Sequence, residues 1–343
     1  ARQSTAHRCR PAGCRYPPPQ RAGTHAERVC RSHARAGRGG PCEWPLVAAR
    51  VPGSPVARTP MGNKATTPRA GGAGGGATGV PQFSAIPDHY ESLEQVTEAL
   101  RAAGVEGCSV AIGIDFTVSN VANGKASYGQ SLHAVGGGGA KNPYQQVISV
   151  CSTVLRDFDD DGLIPTFGFG AKTNGGALFD IRPDGAPCAG VDGVLRDYEA
   201  ALQRVELAAP TNFAPFLNRV ADLVERGGGM HLALVITDGE VTPDSDYSSC
   251  TTDTKRAIVR CSKLPIAIVI VGVGDADFSK MEEFDDAKLA ADHTRDCVQF
   301  VNFNTVMRHA RRGYEEVDFS LAALQELPAT YAHIRAAGLL DDD

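Results

Sequence analysis

Oxygen-bearing side chains follow an apolar run at residues 110–120, which read VAIGIDFTVSN. The carboxylate of Asp115 and the hydroxyls of Thr117 and Ser119 stand at alternate positions. Alternate residues of an extended chain face the same side, so the three side chains are predicted to converge. One carboxylate and two hydroxyls suit a hard cation, and Mg²⁺ is the first expectation, with Mn²⁺ or Ca²⁺ as alternatives.

Two further polar residues are predicted to join this group. Asp238, in VITDG, directly follows the apolar run 232–237, and Thr211, in AAPTNFAP, precedes a helical pattern. The carboxyl ends of parallel strands share one edge of a sheet, where open α/β folds bind ligands. The candidate metal site therefore consists of Asp115, Thr117, Ser119, Thr211 and Asp238.

The elements that must position these residues alternate between strand and helix patterns. Strands are predicted at 110–114, 164–170, 177–181, 232–237, 266–273 and 298–303, with 177–181 at the sheet edge. Helices are predicted at 91–103, 143–158, 191–205, 213–225, 253–264, 315–327 and 329–340, and residues 121–141 as a Gly-rich loop. This order predicts an α/β fold, doubly wound and Rossmann-like, with a mostly parallel sheet flanked by helices on both faces.

Composition divides the chain into four parts. Residues 1–60 contain eleven Arg, no Lys and two acidic residues, a net charge of +9. Since the whole chain carries −6, the remainder carries −15. We predict a disordered leader at 1–60, a Gly-rich linker at 61–86, one folded domain at 87–340 and an acidic tail at 341–343.

The first Met is Met61, in MGNKAT, which fits the N-myristoylation pattern at Gly62. We expect translation to begin at Met61, so that residues 1–60 are not part of the mature protein. The alternative is an Arg-rich, acid-poor organelle transit peptide. Mass spectrometry of the native N-terminus tests the start at Met61, because a peptide from residues 1–60 in the mature protein would contradict it.

Two bulk properties bear on the location of the protein. No run of eighteen apolar residues occurs, so no membrane-spanning helix is predicted. The ten Cys include no CxxC pair and are interpreted as reduced thiols of an intracellular protein.

His133 is expected to be a packing or hydrogen-bonding residue, with an influence on a partner surface as the alternative.

GIDFTVSN, APTNF and VITDG, in this order, resemble the metal-ion-dependent adhesion site (MIDAS) of von Willebrand factor A domains. The DFTxSN form is similar to that of the copine family. NPYQQVIS, IPTFGFGA, LPIAIVIVGVGDADFSKMEEFD and RDCVQFVNF extend the resemblance over about residues 89–338.

This resemblance implies a binding module rather than an enzyme. Thr117 and Ser119 would bind the cation directly, and Thr211, Asp115 and Asp238 directly or through water. An acidic group from a protein partner would complete the metal's shell. The expected location is the cytoplasm, with reversible plasma-membrane contact through a myristoyl group, or the nucleus. No nucleic-acid partner is expected.

Plant copine-like ubiquitin ligases are the alternative within this resemblance. SLEQVTEALRAAG and FSLAALQELPATY are similar to that group, which carries a RING finger after the A domain. No Cys/His array follows Leu340, so ligase activity is not expected of this chain by itself. A role in protein ubiquitination remains the second hypothesis. A metal-dependent hydrolase is the third, and it lacks a nucleophile or general base with a positioned partner.

Overall fold

The computed structural model describes residues 90–340, except 104, 106, 137–139, 156–160, 173–176, 246–247 and 286–288. The predicted leader at 1–60, the linker at 61–86 with Gly62, and the tail at 341–343 lie outside these residues. Those three assignments stay predictions.

Six strands form the central sheet, in the order β10-β9-β8-β1-β3-β5. Five of them are parallel, and β5 pairs antiparallel with β3 at the edge. These strands are β1 (Ser109–Asp115), β3 (Thr166–Phe169), β5 (Leu178–Asp180), β8 (His231–Thr237), β9 (Ile266–Gly272) and β10 (Val298–Asn302). Two small ribbons pair β2 (Leu163–Ile164) with β6 (Cys188–Ala189) and β4 (Ala171–Lys172) with β7 (Glu206–Leu207).

Helices connect most of the strands. They are α1 (Leu93–Ala102), α2 (Lys125–Tyr128), α3 (Pro143–Leu155), α4 (Gly190–Leu202), α5 (Ala214–Gly227), α6 (Cys250–Cys261), α7 (Glu282–Asp285), α8 (Phe303–His309), α9 (Glu315–Leu324) and α10 (Leu327–Ala336). A 3-10 helix spans Val118–Val121. No helix that the structure describes is long and apolar enough to cross a membrane.

The sheet is covered on both faces, as the apolar strands predicted. In β1, Val110, Ile112 and Ile114 enter one hydrophobic core, while Ala111 enters the other. The first core includes residues of α1, α3, α4, α9 and α10, and the second includes residues of α5 and α6. The predicted mostly parallel sheet, flanked by helices on both faces, is confirmed.

Several boundaries differ from prediction for identifiable reasons. The predicted strand 164–170 is interrupted at Pro165, and only 166–169 joins the central sheet. The predicted helix 253–264 begins earlier, at Cys250, because the Asp244 carboxylate accepts hydrogen bonds from the backbone N–H groups of Thr251 and Thr252. The loop predicted at 121–141 was wrong in part, since it contains the short helix α2.

Gly113 allows helix α5 to lie close against the central strand β1. A Cβ atom at this position would lie 2.8 Å from two ring carbons of Phe216, which is fully buried on α5. Real Cβ atoms essentially never approach this closely. The strand that ends at Asp115 therefore depends on a glycine in its middle.

We expect Gly113→Ala to destabilise the domain by about 1–3 kcal/mol, because the added methyl group overpacks the contact with Phe216. The measurement is the free energy of unfolding from urea titration. Gly227→Ala is the matched control: it lies at the end of α5, where a Cβ meets no atom within 4 Å. The control is expected to be neutral or stabilising by about 0.5–1 kcal/mol. Equal unfolding midpoints for the two variants would contradict the packing argument.

Candidate functional site

Asp115 and Asp238 lie at the ends of neighbouring parallel strands. Asp115 is the last residue of β1, and Asp238 directly follows β8. These strands pair in register, with Ile114 opposite Ile236. Both carboxylates are fully buried, so the two apolar strands bring two negative groups to one edge of the sheet.

Hydrogen bonds join Asp238 to the hydroxyls predicted beside it. Its Oδ1 accepts from Thr117 Oγ1 at 3.1 Å and from Ser119 Oγ at 3.0 Å. The two hydroxyl oxygens are 2.8 Å apart. Asp115 is held separately: its Oδ1 accepts from the Thr117 backbone N at 2.8 Å, and its Oδ2 from Thr237 Oγ1 at 2.7 Å.

The convergence of Thr117 and Ser119 has a different cause from the one predicted. Extended backbone continues only to Thr117 (φ −74°, ψ 155°), and the 3-10 helix begins at Val118. Ser119 reaches Asp238 because the chain turns here. Asn120 closes the turn, with its Nδ2 donating to the Asp115 and Thr117 carbonyls.

Thr211 lies on a loop next to the other four residues, but its side chain is outside their hydrogen-bond network as described. Its backbone N donates to Thr242 Oγ1 at 3.0 Å, and the Thr242 N donates to the Thr211 carbonyl at 2.9 Å. The same loop approaches the Thr117 segment, where the Val118 N donates to the Ala208 carbonyl at 2.7 Å. The structure therefore joins four predicted residues directly and places the fifth on an adjoining loop.

Within the part of the chain that the structure describes, neither carboxylate forms an ion pair with a basic side chain. Every ion pair found in the described residues involves other groups. Burial, and then repulsion by Asp238, raises the pKa of Asp115 to about 7. Burial likewise raises the pKa of Asp238, although the Ser119, Thr117 and Asn123 hydrogen bonds oppose this. The site holds negative charge that a cation would stabilise.

Three of its oxygen atoms match the spacing of ligands around a small cation. Thr117 Oγ1, Ser119 Oγ and Asp238 Oδ1 form a triangle with edges of 2.8, 3.0 and 3.1 Å. Octahedral Mg²⁺ binds oxygen at about 2.0–2.1 Å, which places neighbouring ligands about 3.0 Å apart. No group of three or more His, Cys, Asp or Glu side chains within the described ranges is arranged to hold a metal. A cation at this edge would therefore depend on hydroxyl ligands, and the donor set fits one.

Residues that the sequence did not single out hold the site in place. Asn123 Nδ2 donates to the Asp238 carbonyl and to its Oδ2, at 3.0 and 3.1 Å. Tyr144 Oη donates to Asn120 Oδ1 at 2.8 Å. Asn120, Thr237 and Tyr144 lie within the recognised motifs DFTVSN, VITDG and NPYQQVIS, but none of the three is singled out by the sequence as a site residue. Asn123 and Tyr144 reach the site through tertiary contacts, for which the sequence offered no signal.

His133 is a hydrogen-bonding residue, as expected. The ring is buried, its Nε2 lies 2.9 Å from the Asp115 carbonyl, and its Nδ1 lies 2.7 Å from Tyr198 Oη. Burial lowers its pKa to about 4, so the ring is neutral near pH 7. Nε2 must then donate to the carbonyl and Nδ1 must accept from Tyr198, whose oxygen accepts from Asn142 Nδ2.

The fold and the site define a class: an α/β domain with an oxygen-rich, negatively charged site at the carboxyl edge of a mostly parallel sheet. A model of the copine family matches residues 131–342. The chain belongs to the copine family.

Relatives within this family fall into two groups. E3 ubiquitin-protein ligase RGLG2 from Arabidopsis thaliana is 41% identical over 259 residues, covering 73% of this chain and 54% of RGLG2. Copine family protein 1 from Caenorhabditis elegans is 35% identical, covering 73% of this chain and 22% of that protein. This chain thus spans about half the length of RGLG2. Among solved structures, manganese-loaded Plasmodium vivax TRAP protein is 11% identical with a TM-score of 0.35, covering 61% of this chain and 73% of that one.

The raised pKa of Asp115 predicts how stability depends on pH in chelator-treated protein. The unfolded chain releases this proton near pH 3.8, whereas the folded chain holds it to about pH 7. The contribution of Asp115 to the free energy of unfolding is therefore fully present below pH 3.8 and is lost as the pH rises through 7. The loss is on the order of a few kcal/mol. Asp115→Asn cannot titrate, so it should lose less stability between pH 4 and 7, measured by urea unfolding.

The comparison between the two proteins controls for titrating groups that do not interact with the Asp115 carboxylate. The lowered pKa of His133 acts in the opposite direction, since that stability is lost as pH falls from about 6.5 towards 4. This contribution is common to wild type and Asp115→Asn, and it cancels in their difference. Parallel stability curves for the two proteins from pH 4 to 7 would show that Asp115 is ionised throughout this range. That outcome would contradict the prediction.

Proposed function

We propose that this copine-family domain is a divalent-cation-dependent protein-binding module. The observation that carries the proposal is the pair of buried carboxylates, which form no ion pair within the described residues, beside two hydroxyls at octahedral spacing. Thr117, Ser119 and Asp238 would hold Mg²⁺ or Mn²⁺, with Asp115 supplying further negative charge. A protein partner would contribute an acidic group to the same cation, and Thr211, on the adjoining loop, would bind it directly or through water.

The charge of the proposed site explains why a partner's acid is needed. Of the proposed direct ligands only Asp238 is charged, because Thr117 and Ser119 would bind through neutral hydroxyls, so a divalent cation would keep positive charge. The cation therefore remains attractive to another anionic oxygen. An acidic group from a partner would complete the coordination, so that binding of the partner would require the cation.

Cation binding should stabilise the folded protein. At a cation concentration of 100 times Kd, the free energy of unfolding should rise by about 2.7 kcal/mol. The variant Thr117→Val, Ser119→Ala removes both hydroxyl ligands at almost constant volume and should abolish this gain. Calorimetric titration with MgCl₂ or MnCl₂, together with urea unfolding, measures both effects.

Ser127→Ala is the matched control, because it removes an exposed hydroxyl on the nearby helix α2. It should respond to the cation as the wild type does. The second part of the test is capture of protein partners from lysate in Mn²⁺ and in chelator. Cation binding that survives loss of both hydroxyls, or equal partner recovery in chelator, would defeat the proposal.

A role in protein ubiquitination is the second candidate, and the 41% identity to RGLG2 supports it. Under this hypothesis, the module holds the protein that becomes ubiquitinated. In cells, ubiquitin on a cation-dependent partner should then decrease when wild type is replaced by the Thr117→Val, Ser119→Ala variant. Ubiquitin levels on that partner that do not respond to the variant would leave simple binding as the better account.

A further inference from the structure

Exposed apolar side chains follow the strand that ends at Asp115. The described residues expose five large apolar side chains, of which Val118 (55%), Val121 (45%) and Val135 (49%) follow β1 within twenty positions. Val118 lies directly between Thr117 and Ser119. Single exposed apolar residues are common and need no explanation. Three within twenty positions of Asp115, one of them between two candidate ligand residues, make this segment a candidate for contact with a partner.

A groove opens two residues beyond Asp238. Its volume is about 260 Å³, and its floor consists of Val241, Met281 and Phe284, all buried members of the second core. Pockets for whole small ligands are usually about 300–1,000 Å³. This groove is below that range, so its size suits a single side chain.

Two of the charged side chains on the rim of the groove pair with each other, and a third accepts hydrogen bonds from helix α6. Lys280 Nζ pairs with Glu240 Oε2 at 3.4 Å, and the Lys280 N donates to Glu240 Oε1 at 2.9 Å. The Asp244 carboxylate already accepts hydrogen bonds from backbone N–H groups in the first turn of α6. Lys255 and Glu283 add one charge of each sign to the rim. The floor itself is apolar, so an apolar side chain would extend it. The chemistry of the groove therefore favours an aliphatic or aromatic guest.

Asn123 links the two apolar areas. Its side chain donates to the carbonyl and the carboxylate of Asp238, which ties the segment carrying Val121 to the loop that leads into the groove. Val118 and Val121 lie on the segment that follows β1, while the groove floor belongs to the core on the face of α5 and α6. Each of the two strands that carry the carboxylates, β1 and β8, is thus followed by an apolar area.

We propose that the partner binds as an extended segment with one acidic residue at the candidate site and apolar residues near it on both sides. One apolar side chain enters the groove, and another covers Val118 and Val121. Asp238 and Val241 are three residues apart, at most about 10 Å along the chain. The apolar residues of the partner therefore lie two or three positions from its acid. This proposal rests on the proposed cation-dependent function and specifies its partner.

Synthetic nine-residue peptides with a central Glu test the proposal on the full chain in Mn²⁺. One peptide carries Leu at the second and third positions on each side of Glu, and the other carries Ser there. The Leu peptide should bind roughly tenfold or more tightly, measured by fluorescence anisotropy, because it buries apolar surface. Val118→Ser with Val121→Ser should reduce that preference several-fold. Leu163→Ser, an exposed apolar residue (44%) on β2, should not.

Methionine methyl NMR locates the bound peptide. The Met281 signal should shift with the Leu peptide, while Met230, buried just before β8 at the opposite end of the strand, should not. Equal binding of the Leu and Ser peptides, an unshifted Met281, or no binding of either peptide overturns the proposal. Binding of the Leu peptide with a Met281 shift in chelator would support the apolar surface and overturn the cation-dependent function instead.

Discussion

The repulsion between Asp115 and Asp238 is the constraint that governs this edge of the sheet. Each carboxylate is buried and satisfied by neutral donors: backbone N–H and a hydroxyl for Asp115, and hydroxyls and an amide for Asp238. Such donors offset lost hydration but supply no positive charge. Hydrogen bonding therefore fixes both groups in place while leaving their charge uncompensated.

This arrangement depends on a closely packed, rigid scaffold. Strands β1, β8 and β9 are buried on both faces, and every residue of β9 is inaccessible to solvent. Gly113 lets α5 approach from one side. On the other side, His133 stacks between Phe116 and Tyr144, with ring centroids 5.1 and 4.4 Å away. Close packing of this kind transmits strain, so separation of the carboxylates would disturb both cores.

The sequence predicted the sheet well because buried parallel strands are recognisable as short apolar runs. It also predicted that Asp115 and Asp238 lie at the same edge of the sheet, since the carboxyl ends of parallel strands share one edge. It failed where long-range contacts decide local structure. The start of α6 depends on Asp244, six residues earlier, and the turn that brings Ser119 to Asp238 was interpreted as extended chain. Asn123 was missed because nothing local distinguishes it from an ordinary loop residue, and Tyr144, although within NPYQQVIS, was assigned only to a helix.

Under the proposed function, the apolar surroundings and the charge of the site act together. Electrostatic attraction between a cation and a partner's carboxylate strengthens as water is excluded. Val118 lies between two proposed ligand residues, so an apolar partner residue that covers it would also shield the cation. The carboxylate alone would then give little discrimination, since every protein surface carries acids. Selectivity would come from the apolar residues beside that acid, because only a segment that carries both can shield the cation while completing its coordination.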